Sequence, residues 1–106
     1  MVENDGKKLG RLSGKVAIIA GAASANGAVG IGAATAALFA REGAKVLLVN
    51  RNETHVHALC EEIVEAGGEC SAFIGDVTRE DDVQRMVETA LARYQRIDVL
   101  HNNAGV

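Results

Sequence analysis

The sequence contains no proline and no tryptophan, and its aromatic residues are three: Phe39, Phe73 and Tyr94. Without proline the chain suits an unbroken run of regular elements and does not read as a linker or a disordered tail. With so few rings, its core must be aliphatic. The two cysteines, Cys60 and Cys70, lack CxxC spacing and fit buried thiols rather than a disulfide. Lys7, Lys8 and Lys15 are too few for a nucleic-acid surface, and the net charge is −3. No apolar run approaches the length of a membrane span, and the opening MVENDGKKLG lacks the hydrophobic stretch of a secretory signal. A cytoplasmic protein is therefore expected, with neither membrane nor nucleic acid as partner.

What is present is globular in balance: 106 residues, 48% apolar and 24% charged, enough for one small domain. At this size folding buries roughly two-thirds of the surface of the unfolded chain, so margins are thin. A polar leader covers residues 1–13, and the domain runs from 14 to 106. Within it, strand and helix alternate. Val16–Ala20 is a short apolar run of the kind buried on both faces, and Val46–Val49 is a second. A glycine-rich loop from Gly21 to Gly32 separates the first strand from an alanine-rich helix, which runs to Glu42 and stops at Gly43.

Asn52 can cap the next helix, whose apolar Val56, Leu59, Cys60 and Ile63 follow i, i+3, i+4, i+7 spacing. Gly67-Gly68 ends it, and Cys70–Ile74 reads as a third strand. Thr78, three residues before Asp81, predicts a variant capping box for a helix with Val83, Met86, Val87, Ala90, Leu91 and Tyr94 on one face. A fourth strand begins at Ile97. This β-α-β-α-β-α-β order predicts an α/β fold, a parallel sheet with right-handed crossovers.

A glycine-rich turn after a buried strand brings backbone N–H groups and the positive end of a helix dipole to a pyrophosphate. Gly30 and Gly32 flank Ile31, and the small residues behind them let the helix lie close to the sheet. Inside a βαβ unit, this placement favours nucleotide binding over a merely flexible loop.

The segments Gly30-Ile31-Gly32, Ala34 and Ala36, the run 41–46 (Arg-Glu-Gly-Ala-Lys-Val), Asp76-Val77 and Asn102-Asn103-Ala104-Gly105 together resemble the short-chain dehydrogenase/reductase family. The resemblance covers about residues 12–106. It implies the first half of a Rossmann-type doubly wound sheet with strand order 3-2-1-4. It also implies hydride transfer between a nicotinamide and a carbonyl or alcohol, and a nicotinamide dinucleotide as ligand. Two departures stand out. The family's TGxxxGxG spacing is stretched, with Ala22 to Val29 between Gly21 and Gly30, and its threonine is Ala20.

The tip of the second strand ordinarily separates NAD from NADP, since an acidic residue there bonds the ribose and repels a 2′-phosphate. Here Asn50 is uncharged and Arg51 follows it, which favours NADP, with NAD as the alternative. By resemblance, Asp76 accepts from the adenine amino group and Val77 packs on the ring. Asn103, Ala104 and Gly105 lie under the ribose, and Gly21, Ser24, Gly30, Ile31 and Gly32 form the phosphate loop. His55 and His57 point about 200° apart on their helix and are no metal pair. His101 reads as a packed strand residue, Glu61, Glu62 and Glu65 as an exposed face, and Asp81 and Asp82 as complements to a helix dipole.

The family's proton-transfer group, a Tyr-x-x-x-Lys pair with an upstream Ser, has no counterpart here: Tyr94 is followed four residues on by Asp98. The chain therefore reads as the cofactor-binding half of an oxidoreductase, truncated after NNAG and inactive alone. A non-catalytic nucleotide-binding module and an oligomerising remnant are the alternatives. With the third helix alone on one sheet face and the fourth strand at an edge, a homo-oligomer through that face or edge is expected.

Overall fold

The computed structural model describes residues 10–21 and 31–102. Among these residues four strands, β1 (Val16–Ala20), β2 (Lys45–Asn50), β3 (Glu69–Ile74) and β4 (Val99–Asn102), alternate with three helices. These are α1 (Ile31–Arg41), α2 (Glu53–Glu65) and α3 (Glu80–Tyr94). The strands form one sheet in the order β3-β2-β1-β4, and every adjacent pair is parallel. The parallel sheet is what the alternation predicts, and the order is the Rossmann-type doubly wound one that the resemblance implies.

The apolar runs are explained by position. All five residues of β1 and the four central residues of β2 are buried, because these strands lie between others and are covered on both faces. Alternate side chains go to opposite sides. Ala17, Ile19, Val46 and Leu48 meet Ala36 and Ala40 of α1 and Val56 and Ile63 of α2. Ile18, Ala20, Leu47 and Val49 meet Met86 and Ala90 of α3. Two helices therefore sit on one face and one on the other.

The chain ends its helices largely with local chemistry. Asn52 accepts the His55 N–H at 3.0 Å and caps α2 as expected. Beyond α1, Gly43 donates to Ala40 and Ala44 to Phe39, closing the helix at the predicted glycine. Residues 10–14, the described end of the polar leader, form turns tied to the same place. Leu12 donates to the Glu42 carbonyl at 2.8 Å and the Arg11 N–H to the Glu42 carboxylate at 3.0 Å.

Several expectations need correction. No capping box joins Thr78 to Asp81: Arg79 is the N-cap of α3 and makes no side-chain cap bond. Thr78 instead donates its N–H (2.9 Å) and hydroxyl (2.6 Å) to Asp76, an Asx turn that wins because its acceptor is only two residues away. Glu80, Asp81 and Asp82 fill the first turn, where the dipole favours carboxylates. Leu91 is 46% exposed rather than on the buried stripe, since one residue beyond Ala90 rotates it about 100° around the helix. The helix ends at Gln95 with φ 71°, a left-handed cap no glycine announces. Ile31 and Gly32 belong to the first turn of α1 rather than to the loop, and β4 begins at Val99, not Ile97.

Candidate functional site

Because the sheet is parallel, every strand delivers its last residue to one edge, and the order reverses direction at β1 and β4. A crevice outside the carboxyl ends of such strands, at the point of reversal, is where open α/β sheets bind ligands. The register sets Ala20 beside Val49 on one side and Asn102 on the other, and Asn50 beside Ile74. Gly21 carries the ladder one residue beyond β1 by donating to the Val49 carbonyl at 2.7 Å, and then turns at φ 72°, which a side chain would resist. Gly32, in the first turn of α1, is buried. Ser24, Gly30, Asn103, Ala104 and Gly105 lie outside the described residues.

At the tip of β2, the Asn50 side-chain oxygen accepts the Asn52 N–H at 2.9 Å, so one side chain turns the strand toward the cap of α2. The Asn50 carbonyl accepts the Gly75 N–H at 3.0 Å, holding the exit of β3 against that of β2. Arg51 stands 77% exposed with one guanidinium nitrogen 3.9 Å from the Asp76 carboxylate. A pair this long and open to water contributes little to stability, so its guanidinium can turn to an incoming anion at small cost.

Asp76 sits at the centre of a dense turn. Two donors from Thr78 hold its carboxyl below the usual carboxylate range, with smaller help from Arg51 and Arg79. It is therefore a permanent acceptor near neutral pH. Its own N–H goes to the Asp82 carboxylate at 2.8 Å, and Arg85 pairs with that same carboxylate. Gly75 lies against Phe73: a Cβ there would be 2.6 Å from the ring and would displace it. Val77 packs against the cluster beneath α3. The structure thus brings Gly21, Asn50, Arg51 and Asp76 to one edge. The part played by Asp82 was not legible, since a six-residue return to a backbone N–H has no periodicity to reveal it.

The other titratable residues lie elsewhere. Tyr94 ends α3, about 20 Å of helix away from the Asp76 turn, and its hydroxyl is 2.6 Å from that of Ser71. Burial pushes its phenol up from the ordinary value. Cys60 and Cys70 are free thiols beside the core of the two-helix face, and burial, then the Cys60 thiol, push Cys70 up. His57 is 3.6 Å from Glu53 one turn away on α2. His55 Nδ1 and His101 Nε2 are buried with no hydrogen-bond partner among the described residues. Among those residues no group of His, Cys, Asp and Glu is placed to hold a metal ion.

Comparison with known proteins accords with this geometry. A family model described as short chain dehydrogenase matches residues 15–106. Tropinone reductase-like 1 of Erythroxylum coca is 45% identical over 96 residues, which are 91% of this chain and 32% of that protein. Glucose dehydrogenase of Caenorhabditis elegans, in its apo form, superposes with a TM-score of 0.81 at 38% identity, over 90% of this chain and 39% of that one. A metagenomic short-chain oxidoreductase in complex with NADP superposes at 0.80 and 41% identity, over 90% and 41% respectively. The chain spans about a third of the length of the curated relatives it matches.

Proposed function

The chain belongs to the short-chain dehydrogenase family, and from that premise we propose that it binds the adenosine half of NADP at the carboxyl edge of its sheet. The whole oxidoreductase would then move a hydride between the nicotinamide and a carbonyl or alcohol. The observation that carries the reading is the meeting of Arg51 and Asp76 across the ends of β2 and β3, with an uncharged Asn50 beneath them. The solved relative in complex with NADP lends it support.

The residues present suit that ligand chemically. Asp76, held ionised, is an acceptor suited to the exocyclic amine of adenine. Arg51 offers a planar, exposed donor fork to a 2′-phosphate, and Asn50 brings no charge to repel it. The Gly21 turn and the first turn of α1, which holds Ile31 and Gly32, are suited to the pyrophosphate, and Gly30, next before them in the sequence, is proposed to join them at that helix N-terminus. Asn103, Ala104 and Gly105 follow directly on β4 and are proposed as the floor of the ribose site. When bound, the nicotinamide supplies the hydride chemistry; this chain supplies the grip on the other end.

Titration of the chain with NADP and NAD tests the reading. One charge-assisted bond to the phosphate is worth about 1.5–3 kcal/mol, so NADP should bind on the order of ten- to a hundredfold more tightly. Arg51→Ala should weaken NADP and leave NAD nearly unchanged, and Asn50→Asp should reverse the preference. Equal loss of both nucleotides in Arg51→Ala would make Arg51 a support of the turn and overturn the assignment.

A further inference from the structure

Asp82, Met86 and Ala90 stand four residues apart and so form one stripe along α3, the stripe that faces the sheet. Met86 and Ala90 are buried at 2% and 0% exposure. Asp82 heads that stripe with its side chain only 14% exposed, whereas its neighbours Glu80 and Asp81 are exposed. A carboxylate at a sheet-facing position is costly unless it is bonded. Here one oxygen accepts the Asp76 N–H at 2.8 Å and the other pairs with Arg85. The contact is close on the apolar side too: a Cβ at Gly75 would lie 3.6 Å from that of Asp82.

We propose that Asp82 is a positioning residue for base recognition: it locks the Asp76 backbone so that the Asp76 carboxylate is aimed at the amino group of the bound adenine. This rests on the adenosine site proposed above. Asp76 is fixed from three directions. Asp82 takes its N–H, Thr78 takes one carboxylate oxygen, and the preceding Gly75 is held to Asn50 of β2. The remaining oxygen, Oδ2, is the one that Arg51 reaches across the edge. Without Asp82 the Asp76 N–H loses its partner, and the turn is free to seek another by rotating its backbone. That rotation would swing Oδ2 away while leaving the phosphate loop and the β2 tip as they are. Asp82 thus links the rigid buried stripe of α3 to the identity of the base.

The test compares NADP with its hypoxanthine analogue, which carries a carbonyl oxygen in place of the adenine amino group. Binding of each to the full chain is measured by calorimetry. The chain should prefer NADP on the order of tenfold, the value of one hydrogen bond to a charged acceptor. Asp82→Ala should bring the two affinities within about twofold of each other. Asp82→Asn retains an oxygen for the Asp76 N–H and should keep most of the preference. A merely structural role would weaken both nucleotides by the same factor and leave the ratio intact, and that result overturns the proposal. So does a wild-type ratio near one. If circular dichroism shows Asp82→Ala unfolded, Asp82→Ser, whose hydroxyl is too short to span the gap, takes its place under the same expectation. Failure of the chain to bind either NADP or NAD would sink the adenosine site itself, and the Asp82 role with it.

Discussion

The two faces of the sheet are made from the same strands yet are closed in different ways. On one, α1 and α2 together cover Ala17, Ile19, Val46 and Leu48. On the other, α3 is the one helix among the described residues that covers Ile18, Ala20, Leu47 and Val49. The difference is sharpest across one rung of the ladder. Ile18 and Leu100 are register partners on neighbouring strands, but Ile18 is 1% exposed and Leu100 is 57% exposed. Strand sequence therefore does not decide burial; the cover supplied by a helix does.

That contrast fixes the largest expected effect. Ile18→Ala removes a buried side chain from beneath α3 and should cost about 2–5 kcal/mol of unfolding free energy. Leu100→Ala, on the same face and the next strand, should change stability far less, by about 0.5 kcal/mol, because more than half of the residue is already exposed. Urea unfolding of the two variants measures both. Comparable losses would mean that the α3 face is covered as fully at β4 as at β1, and the comparison would fail.

A smaller effect separates the tightness of the faces. Ala36 in α1 and Ala90 in α3 are both at 0% exposure against the sheet. Ala36→Leu forces extra volume under a helix flanked by a second helix, and should destabilise by about 1–3 kcal/mol. Ala90→Leu pushes on a helix with no helical neighbour on its face among the described residues, so α3 can move outward and the cost should be the lesser of the two. Thermal melts of both variants decide it. A larger loss for Ala90→Leu would show that α3 is the more firmly seated helix.

Much of this was legible in the sequence, for physical reasons that can be named. A buried parallel strand has to be apolar throughout, so Val16–Ala20 was delimited without error, and alternation with short connections marked a parallel sheet, whose strand order came from the family resemblance. Asn52 announced its cap because capping is local. At the edge of the sheet, Asn50 and Arg51 were named from their place at the tip of the second strand and Asp76 from the family resemblance; they share one edge because strand ends in a parallel sheet converge. What escaped is non-local or competitive. Thr78 is equally suited to cap a helix or to close an Asx turn, and only the presence of Asp76 two residues earlier decides between them. Gln95 adopts a glycine-like conformation with no residue type to signal it. Asp82 looked like a dipole complement, as Asp81 is, because its return to the Asp76 N–H depends on how α3 is seated on the sheet.

Where helical cover is thin, polar ties take over, and the least-covered strand supplies the smallest test. The Asp98 carboxylate, just before β4, accepts the first N–H of β1, from Val16, at 2.9 Å, while the Asp98 N–H goes back to the Val16 carbonyl at 2.8 Å. Arg96, bonded to the same carboxylate at 2.7 Å, is the main cause that holds the Asp98 carboxyl below its usual range, with the Val16 N–H second. A carboxyl whose value is depressed on folding stabilises the fold at pH above its unfolded value, about 3.9. That stabilisation fades as the pH falls below that value and is gone once it drops through the folded one. Asp98→Asn keeps an acceptor for Val16 but loses the charge that Arg96 needs. The variant should therefore melt below the parent near pH 7, and the gap should close as the pH falls below about 4. Asp76 is depressed as well and will give the parent an acid slope of its own, so Asp76→Asn serves as the companion measurement. Melting-temperature differences that stay constant from pH 7 down to pH 2 would mean that the Asp98 charge does not fasten β4, and that hydrogen bonds along the ladder suffice there.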